Sequence, residues 1–485
     1  EIYTVRNTLS LPTLFRSSIR PGTDTIIGNG QVQVARKIGT YRVSSIQAAM
    51  DKNAIIHERR KSVVPRGVGV FNPATADSAR NAIVTDVDGR ELIDFAGGIG
   101  VQNAGHCPEP VVEAIRNQAQ KLIHTCFNVA TYDVYMELAE ELIALFPHGD
   151  HTKVMLTTTG AESVENAVKI ARQYTGRSAI VAFTDGFHGR SMMAMTLTSK
   201  VSYKVGCGPF APEVYHLQYP NYYRYNDGLS PDDFVARETR RLREILINRV
   251  DPKNVAAVII ELVQGEGGFV EAPVSYIQEL RKVCDEYGIV LIIDEVQTGF
   301  GRTCKWGAYQ HYGITPDISV WAKSMGAGMP IGCVMGKAEI MDSALPGTIG
   351  GTYLGNPVCA AAALANIRFM KSIDINSRAE HVAEIVRSRF ENMKSRIPVI
   401  GSIQGLGAML AFSLVKNKQH QEPDADLTRK LVLACLDRGL ILISAGVYGN
   451  VIRILSPLTI SDDHLKRGLD ILDEELVRLT GSSHK

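Results

Sequence analysis

The chain has 485 residues, of which 45% are apolar and 21% are charged, and its 52 basic residues balance 51 acidic ones. This composition is typical of a globular protein and excludes disordered, collagen-like and coiled-coil chains. The small net charge of +1 predicts no nucleic-acid partner. Since no apolar run approaches the roughly 20 residues of a membrane helix, we also expect no membrane partner.

Residues 1–49 differ in composition from the rest of the chain. They contain only Glu1 and Asp24 as acids, beside five Arg and one Lys. We interpret them as an N-terminal arm that packs on the body or on a partner subunit, or as sequence upstream of a start at Met50. An organellar transit segment is the alternative, because such segments are poor in acids. The eight scattered cysteines contain no CxxC pair, which favours a reducing, cytoplasmic location.

From about residue 50 onward, the apolar pattern predicts packed strands and helices. The predicted elements are, in chain order, two strands within 83–95, helices over 108–124 and 135–146, a strand over 152–158, a helix over 162–176, strands over 178–183 and 255–263, a helix over 276–288, strands over 289–296 and 316–322, a helix near 378–396, strands near 408–414 and 440–445, and a helix near 462–479. Apolar strands that alternate with amphipathic helices indicate a parallel sheet covered on both faces. The last hundred residues indicate a smaller α+β domain.

Two charged side chains are expected at the ends of buried strands. Asp294 ends the apolar run IVLIID, and Lys323 follows the strand predicted over 316–322. Ligands bind beyond the carboxyl ends of the strands in open parallel sheets, and burial would lower the pKa of Lys323 and free its amine as a nucleophile. Taken singly, Asp294 is better explained as a helix cap or an ion pair, and Lys323 as a lysine that extends to solvent.

Two loops supply further candidate binding groups. Residues 159–161 precede a predicted helix, whose first N–H groups would bind an anion, although an ordinary turn is an alternative. In the loop 186–190, Phe187 can stack on a flat ligand and Arg190 can bind a carboxylate. A lysine that forms an imine, an acid for a ring nitrogen, an anion cradle and a stacking aromatic are together what pyridoxal phosphate requires. We therefore predict this cofactor and no metal.

Seven segments between Thr157 and Thr459 are among the matches to a known family, and the matches run in order from about residue 65 to 480. They are TTTGAESVENAVKIAR, GFHGR, IIELVQGEGGF, IIDEVQTGFGRT, AKSMGAGMPIG, GGTYLGNP and VIRILSPLT. With these motifs the sequence resembles the class III aminotransferases of the pyridoxal-phosphate fold-type I superfamily, and among them the bacterial 4-aminobutyrate aminotransferases. The resemblance implies an α/β fold. Its large domain, 105–370, would hold a mostly parallel sheet covered by helices, and 50–104 with 371–485 would form the small α+β domain.

The resemblance also implies how the chain holds the cofactor. Lys323 would bind it covalently and Asp294 would pair with its pyridinium nitrogen, so these two are the expected catalytic residues. The other implied contacts are the backbone N–H groups of Gly160 and Ala161 at the phosphate, Phe187 above the ring, Val296 beneath it, Gln297 at the ring hydroxyl, and His188 and Glu261 nearby. Thr352 would reach the phosphate from the other subunit, which implies a homodimer or a dimer of dimers.

Substrate choice is expected to depend on three charged residues and one apolar residue. Arg190 would bind the distal carboxylate of the amino donor, and Arg453 would bind the α-carboxylate of glutamate. An ω-amino acid lacks that second carboxylate, and an unpaired buried charge costs about 3–5 kcal/mol. Glu266 would therefore pair with Arg453 for the ω-amino donor and move away for glutamate, with a fixed salt bridge as the alternative. Ile99 would narrow the pocket.

Two positions depart from the family pattern. Ala161 stands where relatives often carry Ser, so one hydroxyl bond to the phosphate is missing and we expect weaker cofactor retention. Asn128 stands where some relatives carry Gln, and its contact with the substrate stays open.

These features predict transamination of 4-aminobutyrate, or of a similar ω-amino acid such as 5-aminovalerate, with 2-oxoglutarate, giving succinic semialdehyde and glutamate. The main alternative is an ornithine, acetylornithine or diamine aminotransferase on the same scaffold, and an aminomutase or decarboxylase is another. A donor without a distal carboxylate would not need Arg190. A non-catalytic binding protein or DNA-binding regulator is disfavoured, because Lys323 and Asp294 are both intact and 1–49 contains no helix-turn-helix pattern.

Overall fold

The computed structural model describes residues 52–481. The predicted N-terminal arm over 1–49, with its alternative as a transit segment, lies outside the described residues. No helix within 52–481 has the length and apolar character needed to cross a lipid bilayer.

The helices of the described residues vary from single turns to six turns. In chain order they are α1 (Lys52–Val63), α2 (Gly97–Gly100), α3 (Glu109–Lys121), α4 (Asp133–Leu145), α5 (Gly160–Thr175), α6 (Met192–Leu197), α7 (Tyr222–Tyr225), α8 (Pro231–Asn248), α9 (Val274–Tyr287), α10 (Ala338–Met341), α11 (Pro357–Ser372), α12 (Ile375–Arg396), α13 (Ala425–Asp437) and α14 (Asp462–Thr480). α2 is a single left-handed turn, because its four residues all have positive φ.

The strands of the described residues form one large sheet and three smaller ones. In chain order they are β1 (Ser78–Arg80), β2 (Ile83–Thr85), β3 (Glu91–Asp94), β4 (Thr152–Thr157), β5 (Ala179–Phe183), β6 (Val214–Leu217), β7 (Val255–Ile260), β8 (Val263–Gln264), β9 (Val270–Glu271), β10 (Val290–Asp294), β11 (Ile318–Trp321), β12 (Gly332–Lys337), β13 (Ile400–Leu406), β14 (Met409–Asn417), β15 (Glu422–Pro423), β16 (Leu440–Ile441), β17 (Ile443–Ala445) and β18 (Val451–Ile454).

The large sheet has the strand order β4-β12-β11-β10-β7-β5-β6. Neighbouring strands from β11 to β6 are parallel, whereas β12 is antiparallel to both β11 and β4. Only residues 322–331 join β11 to β12, and a parallel connection needs a crossover of a dozen or more residues. The mostly parallel sheet predicted from the sequence is therefore confirmed, and β12 is its one reversed strand.

The predicted elements agree closely with the observed ones. The helices predicted over 276–288 and 462–479 are α9 and α14, and the strands predicted around the turn at Asp88–Gly89 are β2 and β3. The sequence patterns did not predict several elements, among them α1, α8, α11, α13, β6, β12 and β18. α5 is capped at its start by Thr159, whose side chain accepts a hydrogen bond from the Glu162 N–H, and at its end by Gly176, which has φ 67°. These are a typical N-cap and a typical left-handed C-cap.

An aromatic cluster supports the segment that carries Lys323. The Trp321 ring is fully buried, and its centroid lies 4.0 Å from that of Phe146 and 5.6 Å from that of Phe300. A Cβ atom at Gly299 would lie 2.6 Å from the indole ring, so only glycine leaves room for Trp321 there. Dense packing of this kind fixes the backbone two residues before the lysine.

The two ends of the described chain share a small sheet. Strands β1, β2 and β3 pair in antiparallel order, and β16 joins β3 in parallel, with Leu440 opposite Ile93. β13, β14, β18 and β17 form a second antiparallel sheet, to which β15 adds by pairing with β14. The pairing of β3 with β16 agrees with a small domain made of 50–104 and 371–485, and this division stays a prediction.

Candidate active site

A cavity of about 450 Å³ opens where the strands of the large sheet end. Most of the predicted site residues line it: Gly160, Ala161, Phe187, His188, Arg190, Glu261, Glu266, Asp294, Val296, Gln297 and Lys323. They come from the carboxyl ends of β4, β5, β7, β10 and β11 or from the loops that follow. The topology thus brings together residues that are up to 163 positions apart in the sequence (Gly160 to Lys323).

Asp294 and His188 form a buried pair in the cavity wall. The His188 Nδ1 lies 2.7 Å from the Asp294 Oδ2, and the other carboxylate oxygen accepts the Val296 N–H at 3.0 Å. Burial lowers the pKa of the His188 imidazole, but the hydrogen bond and charge of Asp294 outweigh burial and raise the pKa. The Asp294 carboxylate is thereby held in one orientation at the end of β10.

Glu261 stabilises the loop that carries Phe187. Its Oε2 accepts the Phe187 N–H at 2.9 Å, and its Oε1 accepts the Gly265 N–H at 3.0 Å. Burial raises the pKa of Glu261 to about 7, with the nearby Asp294 acting in the same direction and His188 opposing it. This carboxylate therefore fixes two loops of the site through their backbone.

Lys323 begins a 3₁₀ turn directly after β11 and has φ 48°. Its side chain is deeply placed, and burial lowers the pKa of its amine to about 8, with Arg453 acting in the same direction and Glu266 opposing it. A large fraction of the amine is therefore neutral near pH 8, as a nucleophile or a base requires.

The start of α5 offers unpaired backbone donors to the cavity. Within 52–481, no acceptor is found for the N–H groups of Gly160 and Ala161. A Cβ at Gly160 would lie 3.0 Å from both methyl groups of Val296. The acid Glu165 points away from the cavity, because its carboxylate accepts hydrogen bonds from Ser191 and from the start of α6. An anion at this helix start would thus meet N–H groups rather than that carboxylate.

Glu266 and Arg453 form an ion pair beside the lysine. The Arg453 Nη1 donates to the Glu266 Oε1 at 2.7 Å, and their side chains are 3% and 13% exposed respectively. Burial raises the pKa of Glu266, but Arg453 outweighs it and the pKa is lowered. The Nε of Arg453 is buried and has no acceptor in the described part of the chain. Arg453 comes from β18 of the second small sheet and Glu266 from the loop after β8.

Arg190 is exposed and stands over an aromatic ring. Its guanidinium carbon lies 4.9 Å from the centroid of Tyr203, and no carboxylate of residues 52–481 forms an ion pair with it. The Tyr203 hydroxyl in turn donates to the Glu266 Oε2 at 3.0 Å. Tyr203 was not predicted as a site residue, since a single tyrosine in the loop SKVSYK carries no recognisable signal.

Four predicted site residues are not among those that line this cavity, and one of them, Arg453, adjoins it through the ion pair with Glu266. Ile99 lines a separate cavity near the small sheet. Asn128 and Thr352 are exposed, and a Cβ at Gly350 would lie 3.1 Å from the Asn128 side-chain nitrogen. Asn128 is therefore next to the segment of Thr352, the residue that we expected to act on another subunit. Their roles stay predictions.

Comparison with known proteins identifies the family. The family model "Aminotransferase class-III" matches residues 63–476. The chain belongs to the class III aminotransferases. It is 44% identical over 420 residues to a probable 4-aminobutyrate aminotransferase of Bacillus subtilis, with 86% of this chain and 96% of that protein covered. It is 45% identical over 423 residues to a 5-aminovalerate aminotransferase of Pseudomonas putida, with coverage of 87% and 98%.

Solved structures of transaminases share the fold. An (S)-enantioselective omega-transaminase from Thermomicrobium roseum superposes with a TM-score of 0.82 at 30% identity and covers 89% of this chain and 99% of its own. An amine transaminase from an uncultivated Pseudomonas species, in its PLP-bound form, superposes with a TM-score of 0.80 at 29% identity, with coverage of 86% and 97%. The predicted family, fold type and cofactor are confirmed: this class III aminotransferase uses pyridoxal phosphate, an amino donor and a 2-oxo acid.

The residues in the cavity fit that cofactor. The free N–H groups at the start of α5 suit a phosphate, and the Asp294 carboxylate suits a protonated ring nitrogen. The side-chain oxygen Oε1 of Gln297 is buried without a donor in the described part of the chain, so a ring hydroxyl would satisfy it. A Cβ at Gly265 would lie 2.4 Å from this oxygen, which shows how closely the QGEGGF loop approaches the Gln297 side chain.

Proposed function

We propose that this enzyme transfers the amino group of 4-aminobutyrate to 2-oxoglutarate, giving succinic semialdehyde and glutamate. The observation that carries the proposal is the buried ion pair between Glu266 and Arg453 beside Lys323. A donor with one carboxylate and a distant amine leaves this pair intact, whereas a donor with an α-carboxylate must compete with Glu266 for Arg453. The pair therefore favours ω-amino acids as donors.

Arg190 supports the same donor class. It lines the cavity, has no ion-pair partner in the described part of the chain and stands over the Tyr203 ring. A donor that carries its carboxylate at the end remote from the amine would bind here through the planar guanidinium. 5-Aminovalerate has the same two groups one methylene further apart, and relatives that share 45% identity with this chain are named for it. We include it as a second donor.

The chain's own groups account for the proton transfers of the reaction. When bound, pyridoxal phosphate supplies an aldehyde that condenses with amines and a ring that withdraws electrons. The Lys323 Nζ holds the proton removed from the donor carbon, and its lowered pKa of about 8 matches a base that must release that proton again. Asp294 keeps a proton at the ring nitrogen, and His188 holds Asp294 in place.

The second substrate requires a rearrangement of charges. Glutamate and 2-oxoglutarate carry a carboxylate next to the reacting carbon, and Arg453 is the buried cation placed to receive it. Its buried Nε has no acceptor within residues 52–481, so an incoming carboxylate would find a free donor on this guanidinium, and Nη1 would become available as well once Glu266 withdraws. Glu266 thus acts as a charge that is present for one substrate and displaced for the other.

We also propose that the working enzyme is a homodimer in a cytoplasmic setting. The exposed positions of Asn128 and Thr352 suit residues that complete the site of a second subunit. All eight cysteines are free thiols, and four of them are buried, as suits a reducing compartment. The predicted absence of nucleic-acid and membrane partners stays a prediction.

A panel of amino donors tests the proposed function. The enzyme in its aldehyde form is mixed with 4-aminobutyrate, 5-aminovalerate, β-alanine, ornithine or putrescine, and the spectral change to the amine form of the cofactor is timed. We expect 4-aminobutyrate and 5-aminovalerate to react fastest. Equal or faster reaction with putrescine, which has no carboxylate for Arg190, or with ornithine would contradict the proposal and favour a diamine or ornithine aminotransferase.

A further inference from the structure

We propose that the Tyr203 hydroxyl holds Glu266 in the position that pairs with Arg453, which makes Tyr203 a positioning residue that sets the preference between ω-amino acids and dicarboxylates. The proposal rests on the function proposed above, and concerns a residue that lies outside the lining of the cavity. Tyr203 ends a short turn, Val201–Tyr203, in the loop between α6 and β6.

The two oxygens of the Glu266 carboxylate have different partners. Oε1 accepts from the Arg453 Nη1 at 2.7 Å, and Oε2 accepts from the Tyr203 hydroxyl at 3.0 Å. Burial and the charge of Glu266 raise the pKa of Tyr203 to about 12, so the hydroxyl keeps its proton and donates at every working pH. Without this bond, the second oxygen would lose the donor that fixes the plane of the carboxylate.

The ring of Tyr203 is anchored independently of its hydroxyl. It meets the Phe187 ring edge-on, with centroids 5.1 Å apart. The guanidinium of Arg190 lies 4.9 Å from its centroid and the Lys200 Nζ lies 5.6 Å from it. These contacts fix the ring beside the cavity, so the hydroxyl is already in place when Glu266 approaches. A pre-positioned donor loses little entropy when it forms its bond.

The hydroxyl therefore stabilises one of two arrangements. In the closed arrangement, Glu266 pairs with Arg453 and an ω-amino donor can react. In the open arrangement, Glu266 leaves and the α-carboxylate of glutamate takes its place. The ratio of kcat/KM for the two donors then follows the equilibrium between these arrangements. A hydrogen bond to a charged group contributes about 1.5–3 kcal/mol, so its loss shifts this ratio by about 10-fold or more.

The test is Tyr203→Phe, which removes the hydroxyl and keeps the ring under Arg190. We expect the ratio of kcat/KM for 4-aminobutyrate to kcat/KM for glutamate to fall about 10-fold. Glutarate, a dicarboxylate that does not react, should bind the variant more tightly in calorimetry. Tyr203→Leu should show the same change in ratio and, since the ring is also lost, a weaker binding of both donors through Arg190.

Tyr215→Phe is the matched control. It removes a bond of the same kind, from the Tyr215 hydroxyl to the Glu213 carboxylate at 3.2 Å, on strand β6 and away from the cavity lining. A ratio that stays within twofold of the wild type in Tyr203→Phe, or that changes equally in Tyr215→Phe, overturns the proposal. If the wild type turns over no ω-amino acid, the proposed function fails, and unchanged glutarate affinity in Tyr203→Phe would separately reject the role of the hydroxyl.

Discussion

The imidazole of His188 lies against the carboxylate of Asp294, with 2.7 Å between Nδ1 and Oδ2, and both side chains are buried. Within residues 52–481, the second oxygen of Asp294 accepts the nearby Val296 N–H alone. A carboxylate that is oriented from both sides in a dry environment exerts a strong field on a nearby ring nitrogen. The first prediction tests how strongly the Asp294 carboxylate acts on the ring nitrogen.

Replacing Asp294 by Asn should reduce turnover severely. A nearby opposite charge shifts a pKa by about 1–3 units, so the variant should lower the pKa of the bound ring nitrogen and lose about 10- to 1000-fold in kcat. Steady-state kinetics with 4-aminobutyrate check this value. Asp342→Asn, which removes an exposed carboxylate paired with Lys153, should keep full activity. Turnover above half of the wild-type value in the Asp294 variant would contradict the role of this carboxylate.

Replacing Lys323 by Met should abolish turnover and stabilise the cofactor-free protein. The folded-state pKa of Lys323 is about 8, against 10.5 for a free lysine, so the folded state loses stability as the pH falls from about 10.5 to 8. Below that range the burial of this amine lowers the free energy of unfolding by about 3 kcal/mol, because each pKa unit corresponds to about 1.4 kcal/mol.

Denaturant unfolding of the cofactor-free protein tests whether the buried amine of Lys323 destabilises the folded state. The Lys323→Met variant should exceed the wild type in free energy of unfolding by about 3 kcal/mol at pH 7.5 and by about 1 kcal/mol at pH 9.5. Lys337→Met, which alters a lysine paired with Asp317 outside the cavity lining, should not gain stability. If the Lys323→Met variant is less stable than the wild type at pH 7.5, the charged form of Lys323 does not destabilise the folded state.

Replacing Glu266 by Gln should separate the two half-reactions. The change removes the charge that pairs with the buried Arg453, and breaking a buried pair costs about 3–5 kcal/mol. We expect kcat/KM for 4-aminobutyrate to fall about 100-fold or more, and that for glutamate to change less than about fivefold, since glutamate supplies its own carboxylate. Equal losses for both donors, measured in single-turnover experiments, would instead indicate a fixed salt bridge.

Replacing Ala161 by Ser should strengthen cofactor binding. The added hydroxyl lies at the start of α5, beside the two free N–H groups, and one hydrogen bond contributes about 0.5–1.5 kcal/mol. The rate of cofactor loss on dialysis should therefore fall by about 2- to 10-fold. A Cβ at Gly189 would lie only 2.6 Å from the Ala161 Cβ, so the site is tight, and faster cofactor loss would mean that the hydroxyl does not fit.

The fold and the position of the cofactor site could largely be predicted, because the residues that mark them stand directly at the ends of apolar strands in the sequence. Asp294 ends a continuous apolar strand, and residues 159–161 join a strand to a helix, so the topology of a parallel sheet was sufficient to place both at one edge. Lys323 was identified for the same reason. The reversed direction of β12 could have been inferred from the ten residues that separate it from β11, but its sequence alone carries no sign of direction.

The substrate side of the site was less predictable, because it depends on contacts between distant loops. The bond from Tyr203 to Glu266 joins two loops 63 positions apart, and neither loop has a periodic pattern. Ile99 was named as a site residue from the resemblance to the family, but it does not line the cavity that holds Lys323. It lies in a left-handed turn with φ 65° and lines a different cavity of the chain. For residues expected to act on a second subunit, such as Thr352, one chain shows an exposed side chain but not the group that it would contact.

The parallel pairing of β3 with β16 has a consequence for how this protein is made. The Phe95 N–H donates to the Ile441 carbonyl at 3.0 Å, yet about 350 residues separate the two strands. At roughly 5–20 residues per second, the ribosome delivers β16 roughly 20 to 70 s after β3. Throughout that interval β3 lacks the strand that covers its outer edge, so the four-stranded sheet is complete only after β16 has been synthesised.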